Sequence, residues 1–323
     1  MSQLRDAMLE WTSSGRLKPE DAAAALDLAG LTPRRSDWRN FLDMLLLWTG
    51  VILLVSGVLF FFAYNWSALP RMAKFGLAEL LLAAAFISAW VLGIDRPAGK
   101  GALCGAAILT GALLALVGQI YQTGADTYEL FLYWALLIVP WVLVGRFAPL
   151  WLLWLGLIDI AVPLFCEARN WSLFGFSSVI SCTLWSLLAI NLTAEVLWEI
   201  GQARGIEWLS RWGARIIGTV TGTVTTTMGV MVVVGFHEIH EASILAYLAW
   251  VVSIYLYHRR LVFDVFLLSG VVLSLISVTT AALMKYLLRY SDVFGFLLIG
   301  FLIIGMSAAG AWWIRSLVKE QPA

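Results

Sequence analysis

The sequence predicts an all-α, polytopic bundle of about ten transmembrane helices, and three observations predict it. First, 61% of the 323 residues are hydrophobic and only 13% are charged, against about 25% charged in an ordinary soluble domain. So little polar surface cannot cover a soluble core of this size. Second, the apolar residues gather into stretches close to the roughly 20 needed to cross a hydrocarbon core of about 30 Å. Third, lysine and arginine are distributed unevenly between those stretches. The mean hydropathy of +0.86 agrees. The same composition excludes a disordered chain and a small secreted scaffold. The 21 basic residues balance 21 acidic ones, so the electrostatic footprint of a nucleic-acid binder is missing. Cys104, Cys166 and Cys182 lie in or beside apolar runs, without metal-ligand spacing, and need form no disulfide framework.

Residues 1–40 carry six basic and six acidic side chains and no apolar core of a signal peptide. Leu4, Met8 and Trp11 recur at helical spacing until Ser13-Ser14-Gly15. Pro19-Glu20-Asp21 then reads as a helix start, continued by residues 22–28 and ended by Gly30 and Pro33. The expectation is a charged helical hairpin in water. The apolar stretches follow at 44–64, 75–94, 101–121, 130–145, 147–165, 171–194, 216–236, 242–257, 265–284 and 293–314. The fourth and fifth are separated only by Arg146, and the eighth and ninth chiefly by Arg259 and Arg260. The stretch 195–215, with Trp198, Trp208, Trp212, Arg204, Arg211 and Arg215, reads as an amphipathic loop along the membrane surface. Ten spans put both termini on one side, and that side receives sixteen of the 21 lysines and arginines. By the positive-inside rule it is the cytoplasm.

An internal repeat is also expected. Gly101-x-x-x-Gly105 and Gly218-x-x-x-Gly222 are offset by 117 residues, as are Val117-Gly118 and Val234-Gly235; Trp134 and Trp250 are offset by 116. Asn65-Trp66-Ser67 and Asn170-Trp171-Ser172 follow the first and fifth spans. A four-span unit returns to its starting side, so the copies would be parallel. The chain then divides into a cytoplasmic hairpin (1–40), two four-span units (41–145 and 146–260) and two C-terminal spans with a short tail (261–323). Threonines 219, 221, 223, 225, 226 and 227 predict a central, packed seventh span whose buried hydroxyls bond to backbone.

The segments FFFAYNWSALPR (60–71) and GALLALVGQIYQTGADTYELFLYW (111–134), with the Gly15-Arg16-Leu17 turn of the hairpin, resemble the bacterial membrane-protein family known as domain of unknown function 2157. The likeness covers roughly residues 1–150. It implies a bacterial inner-membrane location and supplies no activity. Gln119 and Tyr121 match its motif, whereas the equivalent offset in the second copy holds Phe236 and Glu238.

Charge inside the bilayer is the best pointer to function, at about 2.5–3.5 kcal/mol per group on insertion scales. Asp159, near mid-depth of the fifth span, is the leading candidate; Glu79 in the second span has Lys74 about one turn away. Asn65, Trp66, Asn170 and Trp171, with Gln119 and Tyr121, form candidate polar motifs on the outer side. His237, His240 and Glu241 are a candidate metal or pH-sensing cluster, without the spacing of a zinc-protease helix. No cofactor motif is present. Three readings follow. A transporter-like protein for a small molecule or lipid, with a cavity between the repeats near Asp159, is favoured. A scaffold or sensor that assembles with another inner-membrane protein through its N-terminal hairpin is the alternative. An intramembrane enzyme using Asp159, Glu79 or the histidine loop is the third. The expected partners are the lipid bilayer and such a membrane protein, and no nucleic acid.

Overall fold

The computed structural model describes residues 11–12, 14, 16–18, 20–29, 35–64, 69–121, 124–169, 178–239, 241–287 and 293–320. Among them are eleven helices and no strand. The short α1 (Ala22–Leu28) falls where the sequence places the second arm of the expected hairpin; most of the first arm lies outside the described residues. The long helices are α2 (Arg35–Tyr64), α3 (Arg71–Leu92), α4 (Pro97–Tyr121), α5 (Thr127–Gly145), α6 (Ala148–Ala168), α7 (Val179–Ala203), α8 (Arg211–Val234), α9 (Ala242–Arg260), α10 (Val265–Leu287) and α11 (Val293–Glu320). Nine of these ten are long and apolar enough to cross a membrane. The tenth, α9, has the length but ends in His258-Arg259-Arg260. The chain is a polytopic helical membrane protein.

The uncertain boundary between the fourth and fifth spans is a real turn. Arg146 takes a left-handed conformation (φ 43°) and closes α5, and only Phe147 separates it from α6. The surface loop expected at 195–215 is overturned. Helix α7 runs on to Ala203 and α8 starts at Arg211, leaving seven residues between them. The reason is local: Trp198 Nε1 donates to Ser210 O (3.1 Å) and Gln202 Nε2 to Leu209 O (2.8 Å), so the polar groups of this stretch bond to one another.

Two helices act as hubs. Helix α4 packs against α2, α3, α5 and α6, and α8 packs against α6, α7, α9 and α10. Each hub is rich in small residues, which let neighbours approach closely. In α4, Trp134 of α5 lies across Gly111 and donates its indole N–H to Ala107 O (2.7 Å). In α8, Trp250 of α9 lies against Gly222. The glycines aligned by the 117-residue offset meet different partners: Gly101 and Gly105 face Leu47, Val51 and Val55 of α2, while Gly218 faces Leu267 of α10 and Glu195 of α7. The threonines of α8 bond to backbone as expected, but not all are buried: Thr219 and Thr223 are exposed. Thr219, Thr221, Thr223, Thr225, Thr226 and Thr227 each donate to a carbonyl one turn back. Of these, Thr221 and Thr225 are fully buried.

Candidate functional site

The densest polar chemistry gathers where four helix ends meet: the C-termini of α7 and α9 and the N-termini of α8 and α10. Arg211 is its centre. Its Nη1 reaches Glu199 Oε1 (2.6 Å) and Gln202 Oε1 (3.2 Å), and its Nε reaches Asp264 Oδ2 (2.7 Å). Arg215, one turn on, donates to the same Asp264 oxygen (3.0 Å). Tyr257 donates to Glu199 Oε2 (3.2 Å). The other oxygen of Asp264 accepts from the backbone N–H of Phe266 (2.9 Å) and caps α10. His258 Nδ1 lies 3.1 Å from both Arg211 Nη2 and Val262 O. It can accept from the guanidinium or donate to the carbonyl, and its tautomer decides which. Burial pushes the Asp264 carboxyl up, but the bonds and charges of Arg215 and Arg211 outweigh this and hold it below the ordinary aspartate value.

A second polar pair lies deeper. Asp159 of α6 is half-buried and accepts from Asn191 Nδ2 of α7 (2.8 Å). Asn191 is fully buried, and the same nitrogen also donates to Leu187 O (3.0 Å). Asp159 therefore sits against a neighbouring helix and lines none of the cavities described here. Those cavities are walled from Trp151 onward, within the second half of the chain. The largest, about 750 Å³, is a groove between α6, α7 and α8. Its wall is apolar and aromatic, with Trp151 and Trp208 stacked at 5.5 Å; the exposed Arg204 stands at one end. A second groove of about 610 Å³, between α8, α9 and α10, carries threonine and serine hydroxyls.

The other candidates are dispersed. Glu79 is exposed on α3 while Lys74 is buried; five residues place them roughly 140° apart around the helix. Gln119 and Tyr121 are exposed at the end of α4, the Tyr121 ring 5.7 Å from Phe75. Asn65, Trp66, Asn170, Trp171 and His240 lie outside the described residues. His237 and Glu241 are exposed in a turn, since Gly235 (φ 87°) ends α8 and α9 starts only at Ala242. Among the described residues no group of three histidine, cysteine or acidic side chains is placed to hold a metal ion.

The cysteines depart from expectation. Cys166 of α6 and Cys182 of α7 form a disulfide, and Cys104 is free and buried. The sequence hid this pair because two cysteines 16 residues apart on separate spans carry no pairing signal, and only the antiparallel packing of α6 on α7 brings their Cα atoms to 6.2 Å. The bridge closes a sequence separation of 16 residues, for which loop-closure entropy contributes about 3 kcal/mol. Cys166→Ser is therefore expected to lower the unfolding free energy of the oxidised protein by about 2–4 kcal/mol and to leave the reduced protein unaffected. Denaturant titration with and without reductant checks this.

The fold and these polar groups define a polytopic α-helical membrane protein with an ion-pair cluster at one end of its second half. Residues 9–151 match the family described as predicted membrane protein (DUF2157), the family that the motifs resemble. The match spans α1 to α5 and the start of α6, so Asp159 and the Arg211 cluster lie beyond it. No curated protein and no solved structure matches the chain.

Proposed function

We propose that this chain is a transporter-like protein of the bacterial inner membrane for a lipid-like anion, a molecule with an apolar body and a negatively charged head. The groove between α6, α7 and α8 carries this reading. Its volume of about 750 Å³ falls in the range of about 300–1,000 Å³ found for ligand sites. Four tryptophans, Trp151, Trp154, Trp198 and Trp208, suit an apolar body, and Arg204 at the end suits an anionic head. Asp159 follows Ile158 of the groove wall, and its bond to Asn191 ties α6 to α7 behind that wall.

The orientation belongs to the same proposal: both termini and the Arg211 cluster in the cytoplasm. The bias of lysine and arginine supports it. So does the Cys166–Cys182 bridge, which lies at the opposite ends of α6 and α7 from the cluster, where an oxidising periplasm would favour it. The recurrence of hubs at α4 and α8 supports reading 41–145 and 146–260 as parallel copies. A scaffold role is the second reading, favoured by the nearly uncovered apolar faces of α2 and α11. It expects co-purification of a membrane partner that is lost on deleting residues 1–35.

The test is movement of a fluorescent anionic phospholipid between leaflets of vesicles holding the full-length protein. Ala194→Trp fills the groove and is expected to abolish movement. Asp159→Asn replaces the charge-assisted hydrogen bond to Asn191 with a weaker neutral one, a loss of about 1 kcal/mol, and is expected to slow movement by about fivefold to tenfold. Movement unchanged in both variants, or no faster than in empty vesicles, rejects the reading.

A further inference from the structure

Asn191, Glu195 and Glu199 follow one another on one face of α7 at intervals of four residues, each interval a rise of about 6 Å. All three are buried. The first holds Asp159 and the third holds Arg211, so the row leads from the intramembrane acid to the charged cluster. Glu195, between them, is different. It is 5% exposed, and neither of its carboxyl oxygens has a hydrogen-bond partner; nor has Oδ1 of Asn191. Helix α8 makes room for it at Gly218, where an added Cβ would stand 3.2 Å from Glu195 Oε1.

The charged and titratable groups around Glu195 are few. Glu199 lies on its own helix, and Arg211 of α8 is engaged with Glu199 and Asp264. Tyr257 and His258 of α9 stand behind these two. Asp159 of α6 lies on the far side of Asn191. From α10 the neighbour at Gly218 is the apolar Leu267. Among the described residues no cation is thus left over to pair with Glu195. An ionised carboxylate removed from water without a partner costs many kcal/mol, and such groups neutralise instead. A protonated carboxyl fits the surroundings better. The Thr221 side chain of α8 interacts with Glu195; its hydroxyl donates to Ile217 O, which leaves its own lone pairs to accept from a Glu195 O–H. The remaining acceptors on Glu195 and Asn191 are the kind that buried water bridges.

We propose that Glu195 is a proton-binding site, and that with Asn191 and Glu199 it forms a hydrated proton path between the Arg211 cluster and Asp159. A proton enters from water at the cluster, resides on a Glu195 oxygen, and returns to water or passes to the Asp159 carboxylate; no bond to carbon changes and nothing is oxidised. The Asp159 end of the path rests on the reading of Asp159 as a functional acid. The proton on Glu195 does not.

Infrared spectroscopy of the full-length protein in lipid bilayers at neutral pH tests this. The carbonyl band of a protonated carboxylic acid is expected in the native protein and in Asp159→Asn, and is expected to be lost in Glu195→Gln. On transfer to heavy water the band is expected to shift as the site exchanges through the path. Glutamate labelled with ¹³C at the side-chain carboxyl should displace the band without any substitution, which keeps the test open if Glu195→Gln fails to fold. A native spectrum without a glutamate-dependent band overturns the proposal, because Glu195 is then ionised. A band that keeps its position in heavy water overturns the path. Failure of lipid movement alongside an exchanging Glu195 band counts against the proposed function alone.

Discussion

Replacing Arg211 with alanine is expected to destabilise the full-length protein by about 3 kcal/mol or more, the largest loss from any single charged side chain of the cluster. The reason lies in what is left behind. Arg211 joins Glu199 and Asp264, whose side chains are 11% and 1% exposed. Without the guanidinium, Glu199 keeps only the Tyr257 hydroxyl, and Asp264 depends on Arg215 and the α10 amides. Unfolding in a denaturing detergent series measures the loss. Arg215→Ala is the control: its side chain is 44% exposed, so its pair with Asp264 contributes about 1 kcal/mol or less. Arg211→Lys should fall between the two, since an ammonium keeps the charge but cannot reach Glu199 and Asp264 as a fork. The cluster also sets an acid limit. Asp264 is held below its ordinary value of 3.8. Its contribution is therefore complete above about 3.8 and is lost as pH falls through the lower, folded value. Asp264→Asn should remove that part of the acid sensitivity.

The cluster also marks how far the sequence could be read. Hydropathy alone placed the spans, because crossing a bilayer needs a long uninterrupted apolar run and nothing subtler. It stopped the sixth span at residue 194, because Glu195 and Glu199 look like the water side of a helix end. In the structure they belong to α7, where Arg211 and Tyr257 satisfy the second of them from two other helices and Asp264 in turn holds Arg211. A pairing across 12, 58 and 53 residues leaves no local period to detect. Asp159 stood out for the opposite reason: a lone acid in an apolar run is visible without any partner. Its partner Asn191, 32 residues away, did not stand out, since an amide carries no charge and one polar residue leaves a long apolar run intact. The threonines of α8 were legible because each bonds to its own helix.

The glycines were paired by spacing, which says nothing of what each one touches; Gly111→Ala is expected to be far more damaging than Gly105→Ala. A Cβ at Gly105 would meet only Val55 Cγ2, at 4.0 Å. That is ordinary contact, and trading glycine for alanine in a helix gains up to about 1 kcal/mol. A Cβ at Gly111 would fall inside the indole of Trp134. The ring cannot slide away freely, because Nε1 is pinned to Ala107 O at 2.7 Å and the ring stacks on Phe131. Relief requires breaking that bond or moving α5 off α4. Overpacking of this kind costs about 1–3 kcal/mol, and a lost hydrogen bond about 1 kcal/mol more, so a total near 3 kcal/mol is expected. The loss should appear as a lower unfolding midpoint in detergent. Trp134→Leu in the Gly111→Ala background separates this cause from simple helix propensity: a smaller side chain frees the space, so the double variant should be more stable than Gly111→Ala alone. If it is not, the indole is not what excludes a side chain at position 111. Close approach of α4 and α5 would then have to come from backbone packing.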